Sequence, residues 1–283
     1  MVVWTWQLAG FERLTSTYSD QSSAISSKGV RPEPSEASSL QSGAGVGEMV
    51  AGYQCIAVMA RGVVGACYLV RHLAQGRHYV LKVPKVGTQT QSSVTEAYLA
   101  ALLNHTNIVH HHETFIHNGT LVVASEYCGL GDLQTLIDVA IHMKFKFTAE
   151  TVMAVLVHLC KGVAWMHHNS VAHRDIKPEN VFLDSDGVPK LGDLGSCRFM
   201  LDTSTSFVGT PLYMAPEVLT HQPHSTKLDI WSLGLVIYQM CTLKVPFPAD
   251  SVDALKVPHP SANPLLPVSP LLGRPHNARL HSS

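Results

Sequence analysis

The 283-residue chain is poor in charge, and this scarcity excludes several classes of protein. Charged residues make up only 14% of the sequence, and 20 Lys and Arg against 21 Asp and Glu leave a formal net charge of −1. A nucleic-acid-binding surface needs a basic surplus, so we expect no nucleic acid partner. No apolar run approaches the roughly 18 residues that span a membrane, so we expect no membrane partner either.

Cysteine is also scarce, and its spacing forms no motif. The six cysteines are widely separated, and none stands in a Cys-x-x-Cys pair, which favours free thiols in a reducing compartment. The apolar opening, MVVWTWQLAGF, is short and has no basic flank and no cleavage site of small residues, so no signal peptide is predicted. We therefore expect an intracellular protein, cytoplasmic or nuclear.

Histidine, by contrast, is plentiful, with 17 residues and a dense patch at HTNIVHHHETFIH. Neighbouring side chains in a strand point to opposite faces, so His110, His111 and His112 cannot all converge on one ion. Their spacing fits no common zinc site. We predict solvated or packed histidines in this patch.

Regular hydrophobic periodicity is missing from both ends of the chain. Residues 1–52 are predicted to be a disordered leader, because they are rich in serine and poor in apolar pattern. Residues 251–283 are predicted to be an irregular tail, because their prolines are too dense for a helix. Apolar residues make up 46% of the whole sequence, enough for a sizeable core between these ends.

The part between these ends changes from strands to helices. CIAVM, ACYLVRH and RHYVLKVPK predict three strands, and IVHHHETFIH and LVVASEY predict a hairpin turning at Asn118-Gly119. Helices are predicted for SSVTEAYLAALLNH, with an N-cap at Ser92 or Ser93, and for AETVMAVLVHLCKGVAWMHHN, with an N-cap at Thr148. A hairpin, NVFLDSDGVPKLGD, and a helix, LDIWSLGLVIYQMCTL, follow; the helix is apolar on nearly all sides and is therefore expected to be buried.

Small residues in VMARGVVGACYLV separate the first two strands. A glycine-rich loop lets backbone N–H groups approach a polyphosphate, because no Cβ intervenes. Ala60 stands where the first glycine of such a loop would be, and Gly62 and Gly65 follow. Taken alone, the stretch is more typical of a tight turn than of a phosphate site.

Three later segments carry the residue types of phosphoryl-transfer chemistry. They are VAHRDIKPENVFL, LGDLGS and GTPLYMAPE, in that order. This order resembles the catalytic loop, the metal-binding element and the APE element of eukaryotic protein kinases, over about residues 53–248. HRDIKPEN favours the serine/threonine type. Thr210 also favours it, because the family places the corresponding threonine near the protein substrate. EYCGLGDL, HRDIKPENVFL and SFVGTPLYMAPE are most similar to the NIMA-related (NEK) branch.

The resemblance implies an α+β, two-lobed protein-kinase-like fold over 53–250, with a β-rich N-lobe at 53–127 and a helical C-lobe at 128–250. We expect this C-lobe to be truncated at its C-terminal end, because no helix pattern follows it. No arginine between Arg198 and Arg274 can pair with the glutamate of APE, as one does in the family, and breaking a buried pair costs about 3–5 kcal/mol. The uncovered apolar helix would add exposed surface. We therefore expect an unstable fragment, or a partner protein that covers the C-lobe.

Phosphoryl transfer needs positioning, charge neutralisation and a base near the acceptor hydroxyl. By resemblance, Asp175 is the catalytic base and Lys177 steadies the transferring group. Asn180 and Asp193 are the implied oxygen ligands of Mg²⁺. Gly195 is expected to permit the backbone turn that aims the Asp193 carboxylate.

The resemblance also implies an ATP site. The pair Lys82 and Glu96 is expected to position the α- and β-phosphates, and with it in place ARGVVG is interpreted as the phosphate-covering loop. The remaining implied nucleotide contacts are Ala60, Gly62, Gly65 and Cys67 around this loop, the backbones of Glu126 and Cys128 in the hinge, and Asp132 near the ribose. Alanine restricts positive φ, so Ala60 is expected to weaken nucleotide binding without abolishing it.

A phosphate on the activation loop is the implied means of regulation. In kinases of this type the arginine before the catalytic aspartate, here Arg174, gathers that phosphate and the new charge pair orders the loop. Ser206 is the best-placed acceptor by resemblance, and Thr205, Thr203 and Ser204 are the alternatives.

Three functions stay open on the sequence. An ATP-dependent serine/threonine protein kinase leads, because every residue that the chemistry needs is present. A pseudokinase or nucleotide-binding scaffold is favoured by Ala60, Val80 and the short C-lobe, but Asp175 and Asp193 oppose it. A kinase-like small-molecule phosphotransferase is disfavoured by GTPLYMAPE, which builds a protein-substrate platform in the family.

Overall fold

A computed structural model of the chain describes residues 46–62, 65–85, 91–200 and 205–247. Most of the predicted leader and all of the predicted tail lie outside these residues, and so does the predicted truncation beyond residue 250. Strand β1, Met49–Val50, nevertheless falls inside the predicted leader. The prediction of disorder is wrong there, because β1 pairs with β2, Tyr53–Arg61.

Six antiparallel strands form the sheet of the N-lobe, in the order β1-β2-β3-β4-β6-β5. The remaining four are β3 (Gly65–His72), β4 (His78–Pro84), β5 (His111–His117) and β6 (Thr120–Glu126). Asn118 and Gly119 form the predicted turn between β5 and β6, with φ angles of 49° and 74° that suit a two-residue hairpin. The three predicted strands and the predicted hairpin are confirmed.

Helix α1, Gln91–Leu102, packs against β5 and β6. Because it begins at Gln91, Ser92 and Ser93 lie inside its first turn, and the prediction that one of them is the N-cap is wrong. Leu99 is buried in the same cluster as side chains of the helical lobe. This packing holds α1 beside the junction of the two lobes.

The helical lobe is built around α3, Ala149–His168. Thr148 caps this helix as predicted, since its hydroxyl oxygen accepts a hydrogen bond from the Thr151 N–H at 3.3 Å. The other elements are α2 (Leu133–His142), β7 (Val171–Ala172), β8 (Val181–Leu183), β9 (Pro189–Leu191), β10 (Arg198–Phe199), α4 (Pro216–Leu219) and α5 (Lys227–Thr242). The β8–β9 hairpin is confirmed, whereas α2 has no counterpart among the predicted helices.

Helix α3 is long and apolar enough, by length and composition alone, to cross a membrane. Its Val155, Leu159 and Val163 are buried in the main hydrophobic cluster of the helical lobe. A core helix has the same composition as a membrane span, and this packing accounts for the apolar character of α3.

Helix α5 is only half enclosed. Leu233, Val236 and Met240 are buried, but Ile230 and Trp231 are exposed and Trp231 stacks on Phe247. The prediction that α5 is buried is therefore confirmed for one side of the helix and wrong at Ile230 and Trp231.

Candidate active site

The catalytic loop follows β7 and is held by a single buried carboxylate on α5. Asp229 is fully buried, and its two oxygens accept hydrogen bonds from the N–H groups of His173 and Arg174, each at 2.9 Å. The same carboxylate contacts His167 Nε2 on α3 at 2.8 Å. Arg174 adopts a left-handed φ of 69°, a costly conformation that persists where surrounding contacts enforce it. Asp229 thus fixes the backbone that aims Asp175.

Asp175 lies at the centre of four polar contacts. Its Oδ1 accepts hydrogen bonds from the Thr210 N–H and hydroxyl, both at 2.8 Å. Its Oδ2 lies 2.8 Å from Lys177 Nζ and accepts a 3.1 Å bond from Asn180 Nδ2. Lys177 Nζ also donates to the Thr210 hydroxyl oxygen at 2.7 Å. The structure therefore brings together four residues that the sequence assigned to catalysis, metal binding and substrate.

A second charged group lies where β4, α1 and the LGDLGS segment meet. Lys82 Nζ is 2.6 Å from Glu96 Oε1 and 2.9 Å from Asp193 Oδ1, so β4, α1 and the LGDLGS segment meet at one ammonium. Burial acts to lower the pKa of Lys82, but the two carboxylates outweigh it and raise that pKa. Burial acts to raise the pKa of Asp193, and the Lys82 charge reverses this and lowers it. Both groups therefore carry full charge at neutral pH.

The backbone turn at LGDLGS depends on a different residue from the predicted one. Asp193 itself has the positive φ, 54°, whereas Gly195 is not among the described glycines with positive φ. A Cβ on Gly195 would lie 3.3 Å from Glu96 Oε2 and 3.4 Å from Lys82 Nζ. The predicted role of Gly195 in the turn is wrong, and its lack of a side chain instead leaves room for the ion pairs.

Oxygen donors that suit Mg²⁺ are available beside these charges. Asn180 turns its Nδ2 toward the Asp175 main-chain oxygen at 2.8 Å, which leaves its carbonyl oxygen for another contact. Asp193 has a half-exposed carboxylate. A carboxylate and an amide oxygen form the hard donor set that Mg²⁺ prefers, so these two residues fit the implied ion. Among the described residues there is no group of three or more His, Cys, Asp or Glu side chains that could hold a metal, the histidine patch included.

The ARGVVG stretch joins β2 to β3, and Val63 and Val64 in it lie outside the described residues. The Gly62 N–H donates to the Gly65 oxygen at 2.8 Å. Ala60 lies within β2 opposite Cys67 and is not among the described residues with positive φ. The argument from restricted φ therefore does not apply at Ala60, and its Cβ can act only by occupying space near a ligand.

Gly65 has a packing role that the sequence did not reveal. A Cβ there would lie 2.5 Å from the Val83 main-chain oxygen and 2.9 Å from Pro84 Cα. These are backbone atoms of β4, which cannot move aside cheaply. Gly65 is required for β3 to approach β4, whether or not a phosphate is present.

We expect Gly65→Ala to lower the free energy of unfolding by about 1–3 kcal/mol in the absence of nucleotide. Urea unfolding of wild type and variant measures this, and Gly129→Ala is the matched control because a Cβ there meets nothing within 4 Å. A Gly65→Ala protein with unchanged stability and weaker nucleotide binding would show that the residue serves the ligand alone.

The hinge begins at the end of β6, and its acidic side chains form hydrogen bonds with other groups of the protein. Glu126 Oε1 accepts bonds from Lys190 Nζ at 2.9 Å and from the His110 N–H at 2.6 Å. Burial, and then the Glu126 charge, raise the pKa of the Cys128 thiol to about 12. No group among the described residues accepts the Cys128 N–H, so this donor is available to an adenine edge. Asp132 caps α2, since its Oδ1 accepts the Thr135 N–H at 2.8 Å, and its contact with a ribose stays a prediction.

Arg174 links the catalytic loop to the activation segment. Its Nε donates to the Ser196 oxygen and its Nη1 to the Ser206 hydroxyl, both at 2.7 Å. Burial and the nearby Arg198 guanidinium lower the pKa of Arg174, and the proximity of these two guanidinium groups concentrates positive charge here. Thr205 is exposed beside Ser206, and the alternatives Thr203 and Ser204 lie outside the described residues.

Two functional residues escaped the sequence analysis. Asp229 stands in an apolar helix, and an acidic residue there is itself a signal, because a buried charge must have partners. Lys190 pairs with the hinge residue Glu126 across 64 positions, and no local pattern indicates such a contact. All six cysteines are free thiols, as their spacing predicts.

Comparison with known proteins is consistent with this geometry. Residues 53–260 match the family model described as protein kinase domain. Serine/threonine-protein kinase Nek3 of Mus musculus is 38% identical over 204 residues, which cover 70% of this chain and 39% of the relative. Serine/threonine-protein kinase Nek2 of Homo sapiens is 37% identical over 217 residues, or 72% of this chain and 49% of the relative. The chain thus spans less than half the length of these relatives.

Proposed function

Because this chain belongs to the protein kinase family, we propose that it transfers the γ-phosphoryl group of ATP to serine and threonine hydroxyls of protein substrates. The observation that carries the proposal is the closed set of contacts among Asp175, Lys177 and Thr210. A carboxylate, a cation and a hydroxyl are thus in mutual contact, as transfer to a protein hydroxyl requires. The similarity to Nek serine/threonine kinases supports the choice of acceptor.

In the proposed reaction the acceptor hydroxyl approaches Asp175. Its proton passes to the Asp175 carboxylate as its oxygen bonds to the γ-phosphorus, and the bond from that phosphorus to the bridging oxygen of ADP breaks. Lys177, held 2.8 Å from Asp175, lies where it can neutralise charge on the transferring group. Lys82, fixed by Glu96, is the cation proposed for the α- and β-phosphates.

Asn180 and Asp193 are the residues that would hold Mg²⁺, which when bound neutralises phosphate charge. The hinge N–H of Cys128 and the backbone of Glu126 are proposed to bind the adenine edge. Ala60, Gly62, Gly65 and Cys67 are proposed to cover the phosphates. These four residues add no charge, so neutralisation of the phosphates falls on Lys82, Lys177 and the ion.

Transfer of labelled phosphate from ATP with Mg²⁺ to a generic protein substrate tests the proposal directly. We expect phosphoserine and phosphothreonine in the product, and no transfer by Lys82→Met, which also excludes a contaminating kinase. Folded wild type that is phosphorylated on its activation segment and still transfers nothing would favour the scaffold function. Label found only on a small alcohol would favour the phosphotransferase.

Regulation is proposed to act through Arg174 and Ser206, which are already hydrogen-bonded. A phosphate on Ser206 would add about two negative charges facing the Arg174 guanidinium. We expect Ser206→Ala to reduce the initial rate roughly tenfold after preincubation with ATP, as measured by phosphate transfer alongside phosphopeptide mapping. Ser185→Ala, in the exposed β8–β9 turn, is the control. Equal rates for Ser206→Ala and wild type would move the regulatory site to Thr205 or elsewhere.

The exposed side of α5 is proposed to bind a partner protein. Ile230 and Trp231 present apolar surface there. Glu217 is half-buried on α4 and forms no ion pair with any residue in the described ranges. The free thiols support a proposed cytoplasmic or nuclear location.

A further inference from the structure

Helix α1 presents an apolar face that the described part of the chain leaves open. Val94, Tyr98 and Leu102 recur at intervals of four and therefore share one side of the helix. Their exposed fractions are 48%, 59% and 39%. The exposed ring of Phe199 lies 6.2 Å from that of Tyr98. These four residues are called the α1 face below.

The α1 face carries no charge of either sign. Glu96 is the only charged residue of α1, and it is directed to Lys82 rather than to solvent. The outer side of a surface helix normally carries charged and polar side chains. A contiguous exposed apolar patch marks a site of interaction, so the α1 face has the composition of a surface that is covered in the working protein.

Residues 2–14, VVWTWQLAGFERL, are the part of the chain outside the described residues that best matches this face. Trp4, Leu8 and Phe11 are spaced by four and three, the spacing that is typical of one side of an amphipathic helix. Residues 15–45 are dominated by serine and other polar or small residues, and residues 248–283 contain no Phe, Trp or Tyr. We propose that residues 2–14 dock in cis on the α1 face.

The segment that joins residues 2–14 to the first strand is long enough for this contact. The 31 residues from 15 to 45 span about 30 Å root mean square if they behave as a serine-rich linker. Residue 46 precedes β1 at one edge of the sheet, and α1 packs beside β5 at the other edge. Five strand intervals of about 4.8 Å separate these edges by roughly 24 Å. Tethering keeps the local concentration of residues 2–14 in the millimolar range, which favours cis docking over a second copy.

Docking would also secure the catalytic ion pair, a consequence that rests on the proposed function. Glu96 lies between Val94 and Tyr98 on α1, and any force that holds this helix against the sheet holds Glu96 beside Lys82. The contact itself requires no catalysis. It can therefore be tested by a measurement that does not read activity.

The full chain with the photoreactive residue benzoylphenylalanine in place of Tyr98 tests the contact. Irradiation and peptide mapping are expected to place the main crosslink within residues 2–14. Mixing isotopically light and heavy chains is expected to show that both linked peptides come from one chain. Benzoylphenylalanine in place of Ile116, another exposed apolar residue of the N-lobe, is the control and should not link to residues 2–14.

A combined Trp4→Ser, Leu8→Ser and Phe11→Ser variant should lose the crosslink, whereas Leu40→Ser in the same leader should keep it. Hydrogen exchange of the α1 amides should be at least fivefold faster in the triple variant than in wild type. A crosslink between light and heavy chains, or one to another protein segment, would overturn docking in cis. Unchanged hydrogen exchange of the α1 amides in the triple variant would overturn docking in cis as well. Neither result would bear on the proposed kinase activity.

Discussion

Asp175→Asn is expected to reduce phosphate transfer by a factor of about 10²–10⁴, the usual contribution of a positioned general base. The amide has the shape of the carboxylate but cannot take up the proton of the acceptor hydroxyl. It also places an NH₂ group toward Thr210 or Lys177, both of which donate to Asp175 in the wild type. The measurement is the initial rate of transfer from labelled ATP with Mg²⁺ to a generic protein substrate.

Asp186→Asn is the matched control for this variant. Asp186 is exposed in the turn between β8 and β9, so the same chemical change occurs outside the contacts of Asp175, and we expect the wild-type rate. Urea unfolding should show that Asp175→Asn remains folded, since Asp175 is not enclosed in the core. A rate within about tenfold of wild type would mean that another group accepts the proton.

The sequence predicts which residues form this site better than it predicts the contacts that hold those residues in place. Asp175, Lys177, Asn180 and Asp193 belong to short motifs whose order alone predicts their roles. The structure brings Lys177 and Asn180 into contact with Asp175, whereas Asp193 contacts Lys82. Motifs of this kind are local, so their recognition does not depend on the tertiary fold. The contacts that hold them are long-range, and the sequence contains only indirect signals of such contacts.

Asp132 and Gly65 each have a structural role that local reading did not reveal. Asp132 was assigned to the ribose, yet both its carboxylate oxygens contact Thr135, because a carboxylate before a helix is an N-cap wherever the next turn offers a free N–H. Gly65 was assigned to the phosphate loop, and its nearest constraint is the backbone of β4. In both cases the neighbour that decides the role is set by packing. Helix α2 escaped prediction for the related reason that its start depends on that cap.

Asp229→Asn is expected to lower the free energy of unfolding by about 3 kcal/mol. Both oxygens of Asp229 accept main-chain N–H groups in a fully buried position. The amide offers one oxygen and one NH₂, so one N–H donor of the catalytic loop must face another donor, and a buried unsatisfied donor costs about 1–3 kcal/mol. Loss of the charged acceptor from His167 adds to this cost. Urea unfolding measures the change, with Asp138→Asn on the exposed side of α2 as the control.

The same variant should also slow phosphate transfer roughly 100-fold, because a displacement of about 1 Å at a catalytic group costs that much. Asp229 acts through the backbone of Arg174, whose left-handed φ is unfavourable without that carboxylate. Together the two variants separate the loss of a reacting group from the loss of a group that positions it. Asp175→Asn should lose rate with a smaller loss of stability, because its side chain is partly exposed, whereas Asp229→Asn should lose both together. If Asp229→Asn lost rate while its unfolding free energy stayed within about 0.5 kcal/mol of wild type, Asp229 would have to be assigned to the reaction itself.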